Sequence, residues 1–202
     1  GELDNPNIVG DSMENILYEC IHKQIPSFEK GPKQASPDFY NSKIWEWELK
    51  CFTGSPNFDI SNFNSYISQL NDNLKKKMYL TQYLVFKYKL TDGVLTIEDF
   101  KLCKIWEILS YNNKYPVSVQ VKKLFWYNIR PCSFNQMKDC FENEENNKTE
   151  LKFITQICKS IQQTPNKLEG KQEIIENIYC QYYKICYSQT IDSAFSPKST
   201  ET

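Results

Sequence analysis

The chain has 202 residues, with 24 Lys and Arg against 25 Asp and Glu, one histidine and a formal net charge of −1. Balanced charge leaves no electrostatic footprint for nucleic acid and no patch for an anionic membrane. No stretch approaches the about 18 apolar residues of a spanning helix. Aromatics at 14% supply material for a packed core and argue against disorder away from the ends.

In chain order, residues 1–10 read as a lead-in, and the start Gly1-Glu-Leu-Asp suits a mature secreted protein. Asp11 three before Glu14 resembles a capping box, and Ile16, Leu17, Cys20 and Ile21 share one helical face ended by Pro26. Ser36-Pro37 is read as the start of a second helix, with Tyr40, Ile44, Trp47 and Cys51 as its stripe and Gly54 as its C-terminal cap. Asp59 then caps a helix bearing Ile60, Phe63, Ile67, Leu70 and Leu74. Asp92-Gly93 is a turn. Thr96 with Asp99 opens a helix carrying Phe100, Cys103, Trp106 and Leu109. The alternation Val117-Ser-Val-Gln-Val121 is the one strand signal, discounted in favour of a helix through Phe125 and Trp126. Ser133 and Gln136 box a short helix, Leu151 to Ile161 form another, and the last runs from Lys171 to about Tyr187.

Short segments recur along the chain. Trp45-Glu-Trp-Glu-Leu-Lys-Cys51 is answered by Trp126-Tyr-Asn-Ile-Arg-Pro-Cys132, and Tyr79-Leu-Thr-Gln by Phe153-Ile-Thr-Gln. Cysteine-bearing apolar stretches precede them at Cys20 and Cys103, with a third at Cys180. The expected architecture is therefore all-α: a first helical unit over 11–95, a related unit with a closing helix over 96–188, and a disordered tail over 189–202.

Eight cysteines, Cys20, Cys51, Cys103, Cys132, Cys140, Cys158, Cys180 and Cys186, suggest disulfides and an oxidising compartment. Asn147-Lys-Thr149 is a glycosylation sequon, consistent with secretion. The duplication predicts Cys20–Cys51 and Cys103–Cys132, with Cys180 and Cys186 each reaching Cys140 or Cys158. A rival scheme joins Cys51–Cys103 and Cys132–Cys180. There is no Cys-x2-Cys pair, so a structural zinc site is unsupported.

No catalytic constellation emerges. His22 lies at a helix end, and the glycines form no phosphate loop. Lys75-Lys-Lys77 reads as a solvated face. Glu46 and Glu48, two apart in a presumed helix, point to different sides toward solvent. Asp92-Gly93 lacks oxygen ligands at the preceding positions of a calcium loop. The four tryptophans read as core and inter-repeat packing, with a ligand pocket as the alternative.

Tyr18-Glu-Cys20 and Tyr179-Cys-Gln-Tyr-Tyr-Lys-Ile-Cys186 resemble the Cys-Tyr-Cys motifs of the BICYCLE proteins of gall-forming aphids. That resemblance implies a salivary-gland effector secreted into plant tissue, binding a host protein, with no catalysis and no cofactor. The alternatives are an odorant-binding-like salivary protein holding a small ligand and a parasite surface or invasion protein. Neither nucleic acid nor membrane is an expected partner.

Overall fold

The computed structural model describes residues 6–33, 36–140 and 147–195. It is a mixed α/β structure. Helix α1 (Pro6–His22) precedes strands β1 (Phe28–Lys30), β2 (Phe39–Asn41), β3 (Trp45–Phe52) and β4 (Ser61–Asn62). Helix α2 (Phe63–Asp72) and a π turn (Lys76–Leu80) lead to β5 (Thr81–Thr91) and β6 (Val94–Cys103). After α3 (Ile105–Ile108) come β7 (Val119–Lys122), β8 (Phe125–Ile129) and a 3-10 turn (Phe134–Gln136). Helices α4 (Asn147–Gln163) and α5 (Lys171–Phe195) complete it.

Two sheets form, β1-β2-β3-β5-β6 and β4-β8-β7. Within the larger, β3 and β5 run parallel from Glu46↔Thr81 to Phe52↔Lys87, while every other pairing is antiparallel. Parallel neighbours need a long crossover, and the segment containing β4 and α2 supplies it. Asn62 caps α2 by accepting the Ser65 N–H at 3.1 Å, a role the sequence had suggested for Asp59.

Strand alternation sends the large sheet's residues into two cores. Phe52, Tyr83, Val85 and Cys103 join α2, α4, α5 and the small sheet on one side. Leu49, Leu84, Phe86, Tyr88 and Leu102 pack with Val9 and Met13 of α1, Phe28 and Phe39 on the other.

The all-α expectation is overturned by these eight strands. The segment Trp45-Glu-Trp-Glu-Leu-Lys-Cys51 alternates apolar and polar residues, which is a period of two. Buried runs such as Tyr83-Leu-Val-Phe86 fill both faces of a strand and so also satisfy a helical stripe. The discounted Val117–Val121 signal contains β7, and Asp92-Gly93 makes the β5–β6 hairpin turn with both residues at positive φ. The two Trp-x5-Cys segments share no environment: Trp45 starts β3 in the large sheet and Trp126 lies in β8 of the small one. The proposed boundary between 95 and 96 falls inside β6, and residues 189–195 of the expected tail continue α5; residues 196–202 lie outside the described ones.

All eight cysteines are free thiols, so none of the expected bridges exists. Cys103, Cys132 and Cys158 are small buried hydrophobes in one core. Burial pushes the Cys132 thiol up to about 11 and those of Cys51 and Cys158 to about 12. Cys20 and Cys180 are exposed. Asn147 is the first residue of α4, and its side chain lies outside the described ones.

Candidate active site

Strands β2 and β3 pair only from Asn41↔Trp45 to Phe39↔Trp47. Beyond that point they diverge, and the gap becomes a cleft. Asp38, just outside β2, takes the place of a strand carbonyl: its Oδ2 accepts the Leu49 N–H at 2.6 Å. Gly31 holds the same residue from the other side, donating its N–H to the Asp38 carbonyl at 2.8 Å. The approach requires glycine, because a Cβ at position 31 would sit 1.7 Å from the Pro37 carbonyl oxygen. The Ser36–Pro37 peptide is cis.

On β3, Glu46, Glu48 and Lys50 share one face because side chains repeat every second residue. Glu46 is 4% exposed and Glu48 9% exposed. The sequence reading placed both in solvent on opposite helix sides; the strand aligns and buries them. Glu46 bonds Lys76 at 2.6 Å. Glu48 accepts the Ser36 hydroxyl hydrogen and opens into a cleft of about 930 Å³ that also contains Asp38, Glu14, Asp11 and Lys30.

Four carboxylates, Glu48, Asp38, Glu14 and Asp11, and two lysines, Lys30 and Lys50, set the electrostatics. Burial, then the Glu48 charge, raises the Asp38 carboxyl above its ordinary value, against the Leu49 N–H and Lys50. Burial, then Asp38 and Asp11, raises Glu14, against Lys30 and Lys50. Near Glu48 and Glu46, burial lowers Lys77 despite their charges. Among the described residues no three His, Cys, Asp or Glu side chains form a ready-made metal cage. A hard divalent ion such as Mg²⁺ needs less, since one or two carboxylates with water and a substrate phosphate suffice. The oxygen donors of Asp38 and Glu48, crowded enough to raise Asp38, fit that requirement.

The chain shares its sequence over nearly its whole length with one group of proteins. The profile of the NgoBV restriction endonuclease matches residues 3–196. This chain belongs to the NgoBV restriction endonuclease family. The type II restriction enzyme NlaIV of Neisseria lactamica is 31% identical over 176 residues, spanning 79% of this chain and 67% of that protein. The solved NlaIV restriction endonuclease superposes with a TM-score of 0.69 at 26% identity, covering 89% of this chain and 76% of that one.

Membership of the NgoBV family overturns the resemblance to secreted aphid effectors, and with it the salivary, plant-tissue and host-protein reading. The alternatives of a small-ligand carrier and a parasite surface protein fall on the same ground. So do the expectations of no catalysis, no nucleic-acid partner and an extracellular location, because the family is one of restriction endonucleases. Three of the tryptophans pack against aromatic neighbours. Trp126 packs edge-on against Phe63 and Tyr115, Trp106 against Tyr79, and Trp47 against Phe28. His22 is not among the residues that line the cleft; its Nδ1 lies 2.7 Å from the Phe28 carbonyl. The missed signal was Pro37-Asp38 followed ten positions on by Glu48-Leu-Lys50. It becomes readable once residues 45–52 are taken as a strand.

Proposed function

We propose that this chain hydrolyses phosphodiester bonds in duplex DNA, with Asp38, Glu48 and Lys50 as its catalytic residues. The observation that carries this is the end of the β2–β3 pairing, which sets Asp38 and Glu48 on one cleft, with Lys50 two residues on along the same face of β3, in a restriction endonuclease family member. Asp38 and Glu48 would hold a divalent cation. When bound, that ion supplies Lewis-acid stabilisation of charge developing on the phosphate oxygens.

The chain's own groups do the positioning. Asp38 is fixed from both sides by Leu49 and Gly31, so its free oxygen faces the cleft at little entropic cost. Ser36 orients the Glu48 carboxylate. Lys50, on the same strand face as Glu48, presents an ammonium to the scissile phosphate and to the attacking water. Water adds to phosphorus, one P–O ester bond breaks, and the departing oxygen takes up a proton; the products are a phosphate monoester and a hydroxyl. Glu14 of α1, on the opposite wall, carries its proton to higher pH than an exposed carboxylate and is placed to exchange protons with cleft water.

The test is incubation of the purified chain with unmethylated phage DNA and Mg²⁺, followed by sequencing of the fragment ends. Discrete ends that share one short sequence support the reading. Asp38→Ala and Lys50→Ala should each remove cleavage by 10²-fold or more, about the loss of one transition-state contact. Full cleavage by both variants would refute the assignment of these residues.

A further inference from the structure

One stretch of the chain departs from the even charge of the whole. From Ile108 to Lys138 there is no Asp or Glu, while Lys114, Lys122, Lys123, Arg130 and Lys138 all fall there. The β7–β8 hairpin is its centre, and its tip projects. Val121 to Phe125 are exposed without interruption, Leu124 at 82% and Phe125 at 55%. Tyr127 is 48% exposed, and Lys122 lies over its ring at 4.8 Å.

Lys123 and Leu124 make the two-residue turn at φ values of 48° and 71°, a left-handed conformation usually left to Gly or Asn. The side chains that this turn retains are a cation and a large apolar group. Burial cannot explain them, since both face solvent.

The base of the ribbon is anchored. Asn166 accepts the Trp126 N–H at 2.8 Å and donates to the Trp126 carbonyl at 2.7 Å. Arg130 pairs with Asp59, and Asn128 donates to Asp59 at 2.7 Å. Arg130 is thus neutralised at the base. At the tip, no ion pair among the described residues involves Lys122 or Lys123.

We infer that the β7–β8 tip is a DNA-contacting ribbon: Lys122 and Lys123 engage backbone phosphates while Leu124 and Phe125 press apolar surface against the bases. This rests on the nuclease reading and adds to it a second contact with the same substrate. A two-stranded ribbon can enter a DNA groove, and Leu or Phe side chains inserted from the minor groove are known wedges against base steps. A protein partner fits less well, because the cores of protein interfaces are depleted in lysine, whereas a polyanion rewards a carboxylate-free surface.

The measurement is fluorescence anisotropy of a labelled mixed-sequence duplex with the full chain, without divalent ions, between about 50 and 200 mM salt. For Lys122→Ala/Lys123→Ala, the slope of log K against log salt should become shallower by about 1.8, or roughly 12-fold less affinity change over that range. Leu124→Ala/Phe125→Ala should weaken binding equally at all salts and leave the slope unchanged. It should also reduce the fluorescence rise of a 2-aminopurine in the duplex. Both pairs are exposed, so melting temperatures should stay at the wild-type value. If wild type binds and both variants match it, the ribbon is not a DNA contact, and the nuclease reading stands. An unchanged DNA slope with loss of self-association in Leu124→Ala/Phe125→Ala would assign the tip to a second copy and overturn the inference. A wild type that neither binds nor cuts DNA removes both.

Discussion

The Asp38 carboxylate takes the Leu49 N–H at 2.6 Å, where the next residue of a continuing strand would have offered a carbonyl. One acid therefore both ends the β2–β3 pairing and furnishes the cleft, and its charge is carried at a cost to the fold. Burial and Glu48 raise its carboxyl above the ordinary value near 3.8. The folded state then binds the proton more tightly than the unfolded chain. That contribution is present below the ordinary value and is lost as pH rises through the raised one. Asp38→Asn keeps an oxygen for Leu49 and removes the charge. It should raise the melting temperature by a few degrees at neutral pH, with the gain fading as pH falls toward the ordinary carboxylate range. Melting curves across pH check this; a gain that grows on acidification would contradict it.

A divalent ion held by Asp38 and Glu48 should relieve the same repulsion. Adding Mg²⁺ without DNA is expected to raise the wild-type melting temperature, by about 1.4 kcal/mol of stability at ten times its dissociation constant. Asp38→Asn should show little of this rise. Differential scanning fluorimetry over a Mg²⁺ titration gives the answer independently of cleavage.

Gly31→Ala places a methyl group where the Pro37 carbonyl oxygen now lies. The relief is displacement of Pro37 and Asp38, with loss of the Gly31–Asp38 hydrogen bond. A shift of about 1 Å in a positioned group costs roughly 10²-fold in rate. We expect kcat to fall by that order while DNA affinity measured without divalent ions stays near wild type. Equal losses in both would mean a general structural defect.

Asn166 satisfies both backbone groups of Trp126 and also donates to Asn64 at 2.7 Å. Asn166→Ala leaves a buried N–H and a buried carbonyl without partners. Each such group costs about 1–3 kcal/mol, so denaturant unfolding should show a loss of about 2–6 kcal/mol at unchanged m-value.

The thiols give a plain chemical check. In the native protein Cys20 and Cys180 should react rapidly with a thiol reagent, while Cys103, Cys132 and Cys158 wait for unfolding. A reducing agent should leave the melting temperature where it was. A large drop on reduction would point to bridges.

How far the sequence went follows from which physical signals were local. Helices α2, α4 and α5 were legible because their apolar residues keep one face, as Phe63, Ile67 and Leu70 do in α2. The Asp92-Gly93 turn and the Ser133–Gln136 box were legible because their chemistry lies within four residues. The strands were not. Tyr83 through Phe86 are buried between two cores, and a run apolar on both faces carries no phase. The site was hidden by the same error: in a helix Glu48 and Lys50 diverge, and in a strand they align. Its third member, Asp38, is brought in by the β2–β3 hairpin, a long-range fact that no local pattern states. The cysteine count misled because an even number suits both bridged and buried thiols.

The parallel register of β3 on β5, seven pairs from Glu46↔Thr81 to Phe52↔Lys87, has a consequence for how such a chain can change over time. Adding or removing one residue within Trp45–Phe52 would exchange the two faces, sending Leu49 into the cleft and Glu48 into the apolar layer under α1. The crossover between Phe52 and Thr81 carries no such parity. Its surface loop around Gly54 is free to lengthen, since each doubling of a loop costs only about 0.6 kcal/mol. Related chains should therefore differ freely in length there, while the distance from Trp45 to Phe52 stays fixed to the residue.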